Sequence, residues 1–395
     1  MKIGEFPFLE IAGEDEARLL FIFGGLGMVG ALNALSKPGH NRPWPLRPWW
    51  LFAMLTSELI PVRFVVRALL VVVLARFGAL DHGAGRIGLA LIFAGWLAHG
   101  VLLARAIRAR RAMADAVDSA GIATATSGRI PLKRVVAGNP YRVPARIERI
   151  ENIEYLPGYQ MDLYRTPGGG LQPALLQIHG GSWRGGNRRQ QARPLLDELA
   201  ARGWVTASAS YPLVPDAAID DQLMALKSAV AWLRTQGRMY GVDPEFIAVT
   251  GGSAGGHLAA LVALTPNQPR YQPGFESTDC SVQAAVPLYG IYDLLNRNKT
   301  RDDWPIVRHL MRGTKGEAED RYRDASPLDQ VGPHAPPFLV IHGTNDSVVS
   351  LAEADHFVAA LRAASDAPVA YARIPGATQA FDVVYSARTH RVVNG

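Results

Sequence analysis

The chain has 395 residues, of which 48% are hydrophobic and 19% charged, so it can bury a sizeable core and is not intrinsically disordered. A single cysteine, Cys280, excludes a disulfide scaffold and a cysteine-rich zinc module. The net charge of +6 is uneven: residues 1–145 carry 17 Lys+Arg against 9 Asp+Glu, and residues 146–395 carry 24 against 26. A region both basic and apolar points to a membrane surface rather than to nucleic acid.

Residues 19–36 and 87–104 are two 18-residue runs without Asp, Glu, Lys or Arg, each close to the length that crosses a bilayer as a helix. Between them, residues 49–80 are apolar but contain Glu58, Pro61, Arg63, Arg67 and Arg76. They read as an interfacial segment around Trp49 and Trp50 followed by a short span. Two or three spans result, with three preferred. Glu5, Glu10, Glu14, Asp15 and Glu16 precede the first run. Lys37, Arg42 and Arg47 follow it, and Arg105, Arg108, Arg110 and Arg111 follow the last. With three spans both basic segments fall on one side, the cytoplasmic one, and the rest of the chain with them. The acidic start does not fit a secretory signal peptide. Gly25, Gly27 and Gly30 match the dinucleotide fingerprint, but no carboxylate follows about 20 residues on. Small residues at a helix contact explain them better. Residues 1–105 are therefore a membrane-anchoring helical region, 106–146 a linker rich in Ala, Ser, Thr, Gly and Pro, and 147–395 a separate domain.

In that domain, strand candidates at 150–155, 162–165, 174–178, 205–210, 247–250, 284–288, 338–341 and 369–373 alternate with helical patterns at 193–202, 218–236, 256–264 and 351–364. This alternation predicts an α/β fold with a mostly parallel central sheet flanked by helices. Its chemistry belongs at the carboxyl ends of the strands.

Three motifs lie there. Gly251-Gly252-Ser253-Ala254-Gly255 fits G-x-S-x-G between a strand and a helix, the setting of a nucleophile elbow with Ser253 exposed on a tight turn. His179-Gly180-Gly181-Ser182-Trp183 follows another strand. The N–H groups of Gly180 and Gly181, with that of Ala254, are candidate oxyanion donors, and His179 would brace the loop. Asp346, in Gly343-Thr344-Asn345-Asp346, is placed to be a triad acid, or simply to close an Asx-turn.

Residues 147–395 resemble an α/β-hydrolase of the hormone-sensitive-lipase-like esterase branch. The resemblance rests on HGGSW at 179–183, GGSAGGH at 251–257, PLYGIYD at 287–293, IHGTND at 341–346 and PGATQAFD at 375–382. The apolar first third resembles that of membrane-attached actinobacterial esterases. The resemblance implies hydrolysis of small-molecule or lipid carboxylic esters through a seryl acyl-enzyme, with no metal or organic cofactor and no nucleic-acid partner. It also implies a histidine where this chain has Gln379. An amide cannot take the serine proton and return it near neutral pH. Several outcomes stay open: a natural pseudo-hydrolase that only binds, a variant with its base removed, a substitute histidine (His257, His342 or His390), or residual activity without a base. An amide-cleaving relative of the aryl-formamidase kind also fits the HGG-W turn.

Residues 293–324 read as part of a lid or as a solvated excursion. Arg184, Arg188 and Arg189 read as a solvated basic loop, or as contacts for an acidic substrate.

Overall fold

The computed structural model describes residues 13–36, 49–122 and 144–394. The basic residues Lys37, Arg42 and Arg47, the acids Glu5 and Glu10, and linker residues 123–143 lie outside them.

Eight strands form one sheet: β1 (Glu148–Leu156), β2 (Tyr159–Arg165), β3 (Gln172–Ile178), β4 (Val205–Ala209), β5 (Val242–Gly252), β6 (Ala284–Leu288), β7 (Phe338–Gly343) and β8 (Val369–Ile374). Their order is β1-β2-β4-β3-β5-β6-β7-β8. β2 pairs antiparallel with β1 and with β4, and every other pairing is parallel. The edge strand β1 is largely solvent-facing and polar, whereas β4 is buried throughout, as a strand covered on both faces must be.

The first four helices precede the sheet: α1 (Glu14–Leu35), α2 (Trp49–Glu58), α3 (Ile60–Arg76) and α4 (Gly83–Ser119). Seven more lie between or after the strands: α5 (Arg193–Ala201), α6 (Ile219–Thr235), α7 (Ala254–Leu264), α8 (Pro305–Met311), α9 (Glu319–Asp324), α10 (Leu351–Ala364) and α11 (Ala387–Val393). Every residue of α7 is buried, which an AGGHLAALVAL sequence, apolar on all sides, allows. It packs with Leu223 and Leu226 of α6 in the main core. Truncating a fully buried leucine such as Leu258 or Leu261 to Ala would cost about 2–5 kcal/mol.

Gly25, Gly27 and Gly30 lie inside α1, so they form no phosphate-binding turn. The neighbouring Gly24 abuts α4: a Cβ there would come 2.5 Å from the carbonyl oxygen of Gly88. Such closeness is what small residues give two helices. The 49–80 stretch breaks into α2 and α3 because Pro61 opens α3 and has no N–H to continue α2.

The three long helices α1, α3 and α4 share two ends. At one, Gly13 lies against the His82 ring. At the other, Arg105 Nη1 donates to Leu35 O at 3.2 Å, and Asn345 Nδ2 donates to Ala34 O at 3.3 Å. The second end therefore touches the β7 loop.

Residues 106–119, assigned to a linker by composition, are helical and packed. Ala109, Met113 and Ala116 join a cluster with Leu288, Tyr289, Ile341, Ile374 and Phe381, while Arg108, Arg110 and Arg111 face outward. Glu58, which looked out of place in an apolar run, is buried and ion-paired with buried Arg388 of α11. It also accepts from Ser386 Oγ at 2.6 Å. Segment 293–324 holds α8 and α9, with Met311 buried and Trp304 beside a cavity of 430 Å³.

Candidate active site

β5 ends at Gly252, and α7 begins at Ala254. Ser253 makes the turn between them alone, at φ 57° and ψ −121°. A positive φ strains any residue with a Cβ and marks sites where geometry outranks comfort. Crowding explains the flanking glycines. A Cβ on Gly251 would come 2.4 Å from Gly255 O, and one on Gly255 would come 2.1 Å from Ile178 O. The turn is pinned from behind, where Ser253 N donates to Leu288 O at 3.0 Å.

The HGG loop leaves β3 beside this turn. A Cβ on Gly180 would lie 3.3 Å from Ser253 Cβ. The loop differs from expectation at one donor: Gly180 N–H is taken by Gln191 Oε1 at 2.7 Å. Among the described residues, Gly181 N–H and Ala254 N–H meet no acceptor. His179 stacks on Tyr211 at 4.4 Å, and its Nδ1 donates to Gly180 O at 3.0 Å. Burial lowers its pKa to about 4, so it is neutral and braces the loop.

Of the three basic residues after the turn, Arg184 is exposed as expected for a solvated loop, whereas Arg188 and the partly exposed Arg189 are tied to a carboxylate. Both donate to the buried carboxylate of Asp162, at 3.0 and 2.8 Å, and Arg149 joins them at 2.7 Å. Burial alone would raise the Asp162 pKa. The hydrogen bonds from Arg189, Asn152 N–H, Arg149 and Arg188 outweigh it and hold the carboxyl well below the usual range. Asp162 thus anchors the loop that follows the oxyanion turn.

Asp346, fully buried after β7, accepts the N–H groups of Val348 and Val349 on Oδ1 at 2.8 and 2.9 Å. The β7 and β8 loops interlock: Asn345 N donates to Ala377 O at 2.9 Å, and Gly376 N to Thr344 Oγ1 at 2.8 Å. Gln379 is carried in this way to Ser253 and Asp346 at once. Only one amide orientation suits its neighbours; the other sets oxygen against acceptors and nitrogen against donors. In the suitable one, Gln379 Oε1 accepts from Ser253 Oγ at 2.8 Å, and its NH2 donates to both oxygens of Asp346. The order is hydroxyl, amide, carboxylate.

The other histidines are engaged elsewhere. His257 Nδ1 accepts from Trp183 Nε1 at 3.1 Å and Nε2 donates to Ala325 O at 2.8 Å, with burial lowering the pKa to about 4. His342 Nε2 donates to Val349 O at 3.0 Å and lies 3.6 Å from Asp346 Oδ2. His390 Nδ1 lies against Tyr385 OH at 3.2 Å. Among the described residues, Gln379 is the side chain hydrogen-bonded to the Ser253 hydroxyl.

Sequence reasoning missed Gln191, Glu58 and the pair Tyr289–Asp382. Tyr289 OH donates to Asp382, whose carboxyl is raised above its usual pKa by burial. Both sit in quoted motifs, PLYGIYD and PGATQAFD, and these motifs meet beside Gln379. Among the described residues no His, Cys, Asp and Glu gather in a group of three able to hold a metal ion.

Residues 161–361 match the BD-FAE family. The probable carboxylic ester hydrolase LipM of Mycobacterium tuberculosis is 36% identical over 386 residues, covering 91% of this chain and 86% of that protein. Esterase LipQ of the same organism is 41% identical over 249 residues, 61% of this chain and 59% of its own length. Among solved structures, a truncated carbohydrate esterase from gut microbiota superposes with a TM-score of 0.54 at 22% identity, covering 60% of this chain and 91% of that one.

Proposed function

The chain belongs to the BD-FAE family, within the α/β-hydrolase esterases, and we propose that it is a membrane-attached carboxylic ester hydrolase arrested at proton transfer. The observation that carries this reading is the line from Ser253 Oγ through Gln379 to Asp346. Ser253 Oγ attacks the ester carbonyl carbon. Gly181 N–H and Ala254 N–H hold the oxygen as it becomes an anion. At that moment the hydroxyl proton must leave. Gln379 Oε1 accepts a hydrogen bond from it but cannot accept the proton near neutral pH. The ester is therefore bound and polarised, and both acylation and deacylation are slow. Oxyanion stabilisation and binding alone still leave about 10³–10⁴-fold over water.

Membrane attachment rests on a second set of observations. α1 and α4 are long and apolar enough to cross a bilayer. α3, at 17 residues, reaches about 25 Å. Apart from Leu171, Met239 and Phe246, every exposed large hydrophobic side chain among the described residues lies between Leu19 and Ile122. Three passes put Gly13 and the hydrolase part at opposite ends of the bundle. With Arg105, Arg108, Arg110 and Arg111 at the hydrolase end, that end is cytoplasmic.

The test is labelling by a fluorophosphonate probe together with hydrolysis of a panel of nitrophenyl esters and aryl amides. Slow ester turnover that vanishes in Ser253→Ala is expected. Turnover indifferent to that change refutes the reading, and a preference for amides replaces the ester assignment. Reporter fusions at the two ends test the topology, and an extracellular C-terminus would overturn it.

A further inference from the structure

Inside the helix bundle, basic side chains gather with no acid beside them among the described residues. Arg67 of α3 is only 8% exposed. Its guanidinium fills a gap left by two glycines. A Cβ on Gly27 of α1 would come 2.7 Å from Nη2, and one on Gly95 of α4 would come 3.7 Å from Nη1. His99, one turn beyond Gly95, is 3% exposed; its Nδ1 donates to Gly95 O at 2.6 Å, and its Nε2 meets no partner among the described residues. Arg63, one turn before Arg67, lies over the Phe52 ring at 5.6 Å, and its buried Nε has no acceptor. Among the described residues no carboxylate pairs with Arg63 or Arg67; the nearest in sequence, Glu58, is committed to Arg388, Ser386 and Ser57.

Two guanidiniums without a counter-ion inside an apolar bundle are costly, and such residues mark sites by default. A metal cation is excluded by charge. An oxyanion satisfies the cluster, because it accepts from both guanidiniums. Arg63 and Arg67 lie about 5 and 10 Å along α3 from its hydrolase end, a depth that long side chains bridge to the interface. Exposed Phe64, Leu69 and Leu97 provide apolar surface for acyl chains next to the cluster. We propose that Arg63 and Arg67, beside His99, bind the anionic headgroup of a membrane amphiphile, a phosphodiester or a carboxylate, in the leaflet facing the hydrolase part. Basic pockets between spanning helices recognise lipids by this chemistry. The proposal rests on the membrane reading above.

The experiment uses the full chain in phosphatidylcholine nanodiscs, with and without phosphatidylglycerol, with oleate, or with inorganic phosphate. Native mass spectrometry reads retained lipid, and thermal unfolding reads stabilisation. The chain is expected to retain phosphatidylglycerol or oleate and to unfold at a higher temperature with it. Arg67→Gln should weaken retention on the order of 10- to 100-fold, the worth of a charge-assisted hydrogen bond, and Arg63→Gln less. Arg86→Gln, exposed at the far end, should change nothing. A wild-type chain that inserts but shows no preference for either anionic lipid overturns the site, and needs no variant to fold. Stabilisation by inorganic phosphate without either lipid overturns the lipid assignment. A chain that does not enter the nanodisc overturns the membrane reading, and this proposal with it.

Discussion

Replacing Gln379 by histidine should create an efficient esterase. The side chain at this position is 4% exposed, 2.8 Å from the Ser253 hydroxyl on one side and hydrogen-bonded to Asp346 on the other. A carboxamide and an imidazole both direct two heteroatoms outward from one plane, so Nε2 can take the place of Oε1 and Nδ1–H that of the amide NH2. Asp346 needs no rearrangement, because Val348 and Val349 N–H already fix Oδ1. General base help is worth about 10²–10⁴ in rate, roughly 3–5 kcal/mol of barrier. In a cooperative triad the loss of one member costs up to ~10⁶, so the gain can exceed that range. The assay is turnover of a short-chain nitrophenyl ester by the original chain, by Gln379→His and by Gln379→His with Ser253→Ala. The single variant should be faster by at least two orders of magnitude, and the double variant inactive. A folded variant with no gain would mean that the interlocked loops do not hold the geometry catalysis needs. A fast original chain that slows when His257, His342 or His390 is replaced would mean that another base serves Ser253.

Breaking the Glu58–Arg388 pair should unfold the contact between the bundle and α11. Glu58→Gln leaves a fully buried guanidinium uncompensated, a loss of about 3–5 kcal/mol, read as a lower denaturant midpoint. Restoring the midpoint with Arg388→Met would support the argument; an unchanged Glu58→Gln midpoint would end it. Stability should also fall as pH drops from about 6.5 to 4. His179 and His257 are held neutral by burial with pKa values near 4, so the unfolded chain binds more protons in that window. The sum is on the order of 7 kcal/mol for the two rings, complete below pH 4. Asp162, held low by its three arginines, adds a further loss below about pH 4, where the unfolded chain takes a proton that the folded carboxylate does not. A denaturant midpoint that is flat from pH 7 to pH 5 would contradict the first of these.

The strands and the three motif loops were legible because each is written locally. Apolar runs end in glycine-rich turns, and the turn residues state their own backbone needs. The outer helix end was less legible. Residues 102, 106, 109, 113 and 116 repeat at helical spacing and are all buried, but the arginines between them and the Ala-, Ser- and Thr-rich stretch beyond suggested a linker. Contacts between distant residues left no local pattern. Gln191 capping Gly180, and Glu58 meeting Arg388 across 330 positions, appear only once the sheet has brought the loops together. Arg188 and Arg189 looked like a free basic loop because Asp162, their partner, lies on a strand 26 and 27 residues earlier.

Gln379 shows how a fold can hold a hydroxyl and a carboxylate in line around a group that does not take a proton. Asp346 requires a donor and the Ser253 hydroxyl an acceptor, and a buried group left unpaired would cost about 1–3 kcal/mol. The amide meets both requirements in the same line an imidazole would. Nothing in the packing then presses the loops at 343–346 and 375–382 to move, and the strained turn at Ser253 stays loaded against Leu288 and Gly180. Beside an imidazole the amide lacks one property, the affinity of the middle group for a proton. Its cost falls on the reaction barrier and not on the folded state, so an unfolding measurement is blind to it and a rate measurement is not.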